Sequence, residues 1–112
     1  MQAVFIYTTL PDMEAARKMA ETLVKERLAA CANLFPGMRS VYEWKGALAF
    51  DGEVAAIFKT TPERAPAAQA RIAALHPYEV PAILRLPVEH VNAPYLDWLR
   101  ERTTPDVGSH QD

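Results

Sequence analysis

The run LAACANLFPGMRSVYEWKGALAFDGEVAAIFKT, residues 28–60, holds two long strand-like segments back to back. Leu28 to Phe35 is apolar apart from Asn33, Pro36-Gly37 marks a bend or bulge, and Arg39 to Trp44 resumes in alternation with Val41 among the β-formers. A second run follows from Ala47 to Thr60. The turn between them is either Lys45-Gly46, which gives two long arms, or Asp51-Gly52, a strong hairpin pair that gives a shorter return arm. Lys45-Gly46 is favoured, because only that centre leaves Leu28 to Phe35 a partner along Val54 to Lys59 at matching distances from the turn. Arms of about 15 residues at roughly 3.3 Å each reach about 50 Å. A compact domain of this length has a radius of gyration near 13 Å and so a diameter of about 35 Å. The hairpin must therefore overhang. An overhang carrying Val41, Tyr42, Trp44, Leu48 and Phe50 exposes apolar surface and free strand edges, and pairing with another copy of the chain resolves both.

On the N-terminal side, Val4, Phe5, Ile6 and Tyr7 leave neither face of the segment Ala3 to Thr9 polar, the pattern of a central strand covered on both faces. Helical spacing of Met13, Ala16, Ala20, Leu23 and Val24 predicts a first helix over about 12–27, with Glu14–Lys18 and Glu21–Lys25 as charge pairs four apart. On the other side, Thr61 and Pro62 read as the N-cap and first position of a second helix carried by Ala65, Ala68, Ile72 and Leu75. Pro66 removes a donor one turn in, so that helix starts later or is kinked early. His76-Pro77-Tyr78-Glu79-Val80-Pro81 is a rigid loop, since two prolines restrict themselves and the residues before them. A short strand, Ala82 to Leu86, is ended by Pro87, and Asn92 caps a third helix over about 93–102. The order is βαββαβ with an appended helix, an α+β ferredoxin-like sandwich with a long hairpin between its second and third strands. Residues 1–104 form a single domain, and residues 105–112, with nothing to bury, a flexible tail.

Composition narrows the function. A chain of 112 residues, half of them apolar, buries a core without staples. Twelve basic and fourteen acidic residues are spread along it with no like-charged block, which argues against nucleic acid as a partner. Cys31 is the one cysteine, so there is neither an intrachain disulfide nor a paired-cysteine zinc site, as suits a reducing compartment. With no signal-like start and no apolar run near the roughly 20 residues of a membrane span, a cytoplasmic protein is expected.

Phosphate-loop, dinucleotide, zincin and catalytic-triad motifs are missing, and no enzyme is expected. Polar residues at strand ends and in the proline-rich loop remain: Cys31, Glu43, Trp44, Lys59, His76, Tyr78 and Glu79. Cys31 reads first as a small core hydrophobe and second as a soft metal ligand, for which His76 is the best companion. His76, just past a helix end, equally reads as a cap for the last carbonyls. Lys59 in an apolar strand either snorkels or pairs with a carboxylate such as Glu79. Trp44 and Tyr42 read as interface aromatics, while His90 and His110 receive no role.

Several blocks carry a resemblance: Thr8-Thr9 with Pro11-Asp12, Arg27-Leu28-Ala29-Ala30-Cys31-Ala32-Asn33, Pro36-Gly37, Ser40-Val41-Tyr42, Trp44-Lys45-Gly46, Lys59-Thr60 and His76-Pro77-Tyr78-Glu79-Val80-Pro81. Over about residues 3–100 the chain resembles the CutA divalent-cation-tolerance family. The resemblance implies a homotrimer with hairpins wrapping neighbouring subunits, and a link to copper and other divalent cations, weakly bound, with no organic cofactor. It also implies an intersubunit cleft that would involve Cys31, Lys59, His76 and Tyr78 with Trp44 nearby. Ala82 stands where the family usually has a glutamate. The metal reading uses Cys31 and His76 with help from Glu79. The alternative is a module, like the PII signalling trimers in architecture, that takes a small anionic ligand or a partner protein through Lys59, Tyr78, Trp44 and Glu79. An enzyme using His76 and Tyr78 as acid and base is a third reading.

Overall fold

The structure, a computed structural model, describes residues 1–105. Most of the expected tail, residues 106–112 with His110, lies outside the described residues. The elements run β1 (Ala3–Leu10), α1 (Met13–Lys25), β2 (Cys31–Trp44), β3 (Ala47–Thr60), α2 (Ala65–Leu75), β4 (Ile83–Val88) and α3 (Ala93–Thr103). Four antiparallel strands form one sheet in the order β2-β3-β1-β4, the ferredoxin-like arrangement.

Alternation along β1 sorts the two faces. Val4, Ile6 and Leu10 join Phe58, Ala56 and Val54 of β3 against Ala16, Met19 and Leu23 of α1 and Ala65, Ala68 and Ile72 of α2. That face holds the core. On the opposite face α3 covers only one end, where Leu99 packs with Ala3 and Ala30. The rest of that face is bare: Phe35, Leu84 and Leu86 are all close to half exposed. β1 is central as expected, but one chain covers only one of its faces fully.

The hairpin turns at Lys45-Gly46, with both residues at positive φ, as a two-residue turn matched to strand twist requires. Gly37, also at positive φ, sits in a bulge that shifts the register between Phe35 and Met38. β1 ends at Leu10, opposite Val54, so from Glu53 to Ala47 β3 pairs with β2 alone. The molecule extends 53 × 32 × 21 Å, and its radius of gyration of 15.3 Å exceeds the compact expectation because of this arm.

Several local expectations are corrected. α2 does not start at Thr61-Pro62 but later, at Ala65, the first of the two outcomes Pro66 allowed; Thr61 Oγ1 accepts from the Arg64 N–H over an intervening turn, and Pro66 falls in the first turn where its missing N–H costs no bond. β4 runs through Pro87 to Val88, tolerated because it is an edge strand with a free outward side. Asn92 precedes α3 without a side-chain cap bond, unlike Asp12, whose carboxylate accepts from Ala15 N–H at 2.8 Å. On α1 the ion pair is Arg17–Glu21, at 3.0 Å, rather than either expected lysine pair.

Candidate functional site

Register divides the arm into two sides. Tyr42 and Trp44 on β2 stand opposite Ala49 and Ala47, and Ser40 opposite Asp51, so these side chains share the bare face with Glu53. Val41 pairs with Phe50 and Glu43 with Leu48 on the other side, where Val41, Phe50 and Leu48 are 64, 65 and 79% exposed.

On the first side the arm meets the end of β1 and the loop before β4. Tyr78 donates its hydroxyl to Glu53 at 2.6 Å, and Tyr42 donates to Asp51 at 2.6 Å. Burial alone would raise the Glu53 carboxyl, but hydroxyls of Ser40, Tyr78 and Thr9 outweigh it and hold the group below the usual carboxylate range, Asp51 opposing. Tyr78 is pushed well up by burial and by its bond to the Glu53 carboxylate. Tyr42 is raised by its bond to Asp51. At neutral pH both rings are therefore phenols anchored by their hydroxyls, and Glu53 is an anion.

His76 anchors the same loop from behind. Its Nε2–H donates to the Thr9 carbonyl at 2.9 Å, beside Thr8 Oγ1 at 3.0 Å, and Nδ1 accepts the Tyr78 N–H at 3.2 Å. Those partners assign the neutral Nε2–H tautomer, and burial, partly offset by the Thr9 bond and Glu53, holds the ring below its ordinary pKa. The helix-capping expectation is corrected: the ring ties α2's end to β1 rather than to α2's own carbonyls. A cavity of about 430 Å³ opens between the arm and this loop, walled by Tyr42, Trp44 and Tyr78, with Glu53 and Glu79 as its charges and Ala82 at its margin.

A second cluster lies at the other end of the sheet. Cys31 is the register partner of Lys59, which pairs in turn with Phe5. Cys31 Sγ lies 3.4 Å from Tyr95 Oη on α3, and the Lys59 ammonium stands 5.7 Å from the ring centres of both Tyr95 and Phe5. Burial first, then Cys31, push Tyr95 up to about 12. Cys31 is half-buried rather than a core hydrophobe, and of the two arrangements expected for Lys59 the carboxylate pair is not formed: its ammonium rests on aromatic rings.

The candidates named from sequence thus fall into two groups. Trp44, Tyr78 and Glu79 meet at the cavity with His76 supporting it, while Cys31 and Lys59 sit with Tyr95. Glu43 faces away from the cavity, opposite Leu48. Cys31 and His76 are separated by two strand spacings and by about 10 Å along β1, too far for one ion to touch both within a chain. Among the described residues no three His, Cys, Asp or Glu side chains gather as a ligand set. Sequence reading passed over Glu53 and Tyr95. The pairs Tyr42/Trp44 and Asp51/Glu53, each two residues apart on arms joined at a known turn, were the available signal for the first.

The sequence pattern that defines the CutA1 divalent ion tolerance protein family matches residues 4–102. The divalent-cation tolerance protein CutA of Thermus thermophilus is 48% identical over 98 residues, 88% of this chain and 95% of that protein. Its counterpart from Pyrococcus horikoshii is 50% identical over 100 residues, 89% of this chain and 97% of its own. The crystal structure of divalent ion tolerance protein CutA1 from Ehrlichia chaffeensis superposes with a TM-score of 0.89 at 34% identity, covering 92% of this chain and 96% of that one. No described helix is long and apolar enough to cross a membrane.

Proposed function

The chain belongs to the CutA1 divalent ion tolerance family, and from that premise we propose that it works as a closed homotrimer that takes up copper or another divalent ion weakly, between subunits, and acts by binding rather than by catalysis. One observation carries the assembly: an arm with only one strand neighbour per strand keeps Val41, Leu48 and Phe50 in water on one side of the sheet, while Phe35, Leu84 and Leu86 stand about half exposed on its opposite, bare face. Apolar surface of that extent is characteristic of an interface. The two free edges of the sheet, β2 and β4, are different strands, so a contact joining one to the other is head-to-tail, the kind that generates a ring when its rotation closes. The number three follows the family resemblance.

A thiol is a good ligand for a soft ion, but Cys31 has the Lys59 ammonium close by, which opposes a cation. His76 has both ring nitrogens bonded, so ligation requires Nδ1 to release the Tyr78 N–H. Both facts favour weak uptake, and the distance between Cys31 and His76 within one chain favours a site shared between chains. Lys59 lies apart from Tyr78, Trp44 and Glu79, and carboxylates wall the cavity, so a small anionic ligand there is the poorer fit.

Native mass spectrometry combined with copper titration tests the reading. The expected results are the mass of three chains and saturable copper uptake that a Cys31→Ser, His76→Ala double variant loses while keeping that mass. A monomer at working concentration would sink the assembly, and an unchanged titration of the double variant would sink the ion site.

A further inference from the structure

The layer formed by α1 and α2 plays no part in the ion uptake or in the surfaces proposed to assemble, yet it holds a cavity of its own. Helical spacing puts Leu75 on the buried stripe of Ala65, Ala68 and Ile72, but Leu75 is 37% exposed, because α2 ends there and the stripe runs out beyond the core. Ala15 on α1 is too small to fill the gap. The result is a cavity of about 340 Å³ between α1 and the C-terminal end of α2, at the lower end of the range of small-molecule sites. Leu10 and Met19, both buried, form its floor, and Pro77 stands beside Leu75 as a wall. That wall is fixed, since the His76 ring between the two residues is bonded to the Thr9 carbonyl at 2.9 Å.

Two of the lining residues are polar. Thr22 donates its hydroxyl to the Lys18 carbonyl at 3.0 Å, within the helix, so its proton is spent. Lys18 is then the one charged group on the wall and the one side-chain donor left to a ligand. Its ammonium is uncommitted. Among the described residues Lys18 makes no ion pair, Glu21 being held by Arg17 at 3.0 Å and Asp12 bonded to the Ala15 N–H at 2.8 Å. A molecule with several polar groups would leave most of them against Leu10, Met19, Leu75 and Pro77 without partners, which is costly. One with an apolar body and a single negative end meets a partner at every wall, and a positive end is repelled.

We propose that this cavity binds an apolar monocarboxylate, with its hydrocarbon body on Leu10, Met19 and Leu75 and its carboxylate paired with the Lys18 ammonium at the rim. No wall belongs to the arm or to the bare sheet face, so the site needs neither the ion nor the intersubunit cleft.

Octanoate is the probe, with octanol as its uncharged and octylammonium as its cationic counterpart. The assembled protein, labelled in its methionine methyl groups, is titrated with each while the Met19 methyl resonance is followed by NMR, and Met38 on the arm serves as the internal control. The expected result is a saturable shift at Met19 before any at Met38, with octanol about fivefold weaker than octanoate and octylammonium weaker still. Lys18→Met, which keeps an apolar stem and removes the charge, should bring octanoate down to the affinity of octanol and leave octanol unchanged. Ala15→Leu, a change that suits a helix and fills the cavity, should abolish the Met19 shift with every probe. An octanoate shift confined to Met38, equal affinity for octanoate and octanol, or octanoate affinity unaltered by Lys18→Met would overturn the proposal. Comparing the probes on the unaltered chain needs neither variant, and native mass spectra of the same samples report the oligomer separately, so a failed assembly is not mistaken for a failed site.

Discussion

Phe58 and Phe50 occupy the same strand and, by alternation, the same side of it, yet Phe58 is 0% exposed and Phe50 65%. The difference is one of neighbours rather than of residue type. At Phe58 β3 lies between β2 and β1 with α1 and α2 packed over it; at Phe50 only β2 is alongside, and the Arg39 guanidinium, 5.7 Å from the ring centre, is a thin cover. A strand that outruns its helices carries the same apolar pattern into water. Within one chain that half of the strand stabilises little, and its surface becomes useful when another chain covers it.

Three measurements sharpen or break this contrast. The largest effect is expected from Phe58→Ala, which empties a fully buried position and should cost about 3–5 kcal/mol in chemical denaturation. A loss below about 1 kcal/mol would mean that the helix-covered face is not the core. Next comes Phe50→Asp. It should change the stability of the single chain by no more than about 0.5 kcal/mol, as surface changes usually do, yet shift the species seen by analytical ultracentrifugation towards the monomer. Unaltered assembly would remove the arm's exposed strip from the interface.

The smallest effect concerns the hinge between the two regions. Burial lowers the folded-state pKa of His76 below 6.5, so the folded chain binds fewer protons than the unfolded one as pH falls through that value. The stability from neutral His76 is complete above 6.5 and is lost progressively as pH drops towards the lower folded value. Protonated Nδ1 can no longer accept the Tyr78 N–H, so the loop should loosen over the same window. Amide exchange at Tyr78, followed between neutral and mildly acidic pH and compared with a His76→Gln variant, checks this; identical pH profiles for the two proteins would assign the change elsewhere.

Much of the fold was legible because its signals are local. Lys45-Gly46 could be chosen over Asp51-Gly52 by pairing distances alone, and the turn lies there. Pro36-Gly37 announced the bulge that Gly37's positive φ now explains. The overhang followed from strand length against domain size, and the long axis of 53 Å agrees. Where local reading failed, a distant element had intervened. Pro87 continues β4 because that strand lies at the sheet edge, a fact of topology. His76 leaves α2's carbonyls because Thr8 and Thr9, far away in sequence, offer better partners.

The candidate site divides in the same way. Sequence picked Trp44, Tyr78, Glu79 and His76 by residue type and placement but grouped Cys31 and Lys59 with them, because nothing in a linear pattern separates the two ends of a sheet. Glu53 went unnoticed, since its meaning lies in the hydroxyls that surround it.

Periodicity, turn chemistry and length by themselves determined that this chain forms a ferredoxin-like sandwich with an arm longer than its core. Each of those depends on residues within a few positions of one another or on a simple count. Only the tertiary structure decided which charges meet which rings at the foot of the arm, and that Cys31 and His76 stand apart within one chain. Such contacts join residues dozens of positions apart, and the packing of the whole sheet against its helices sets them.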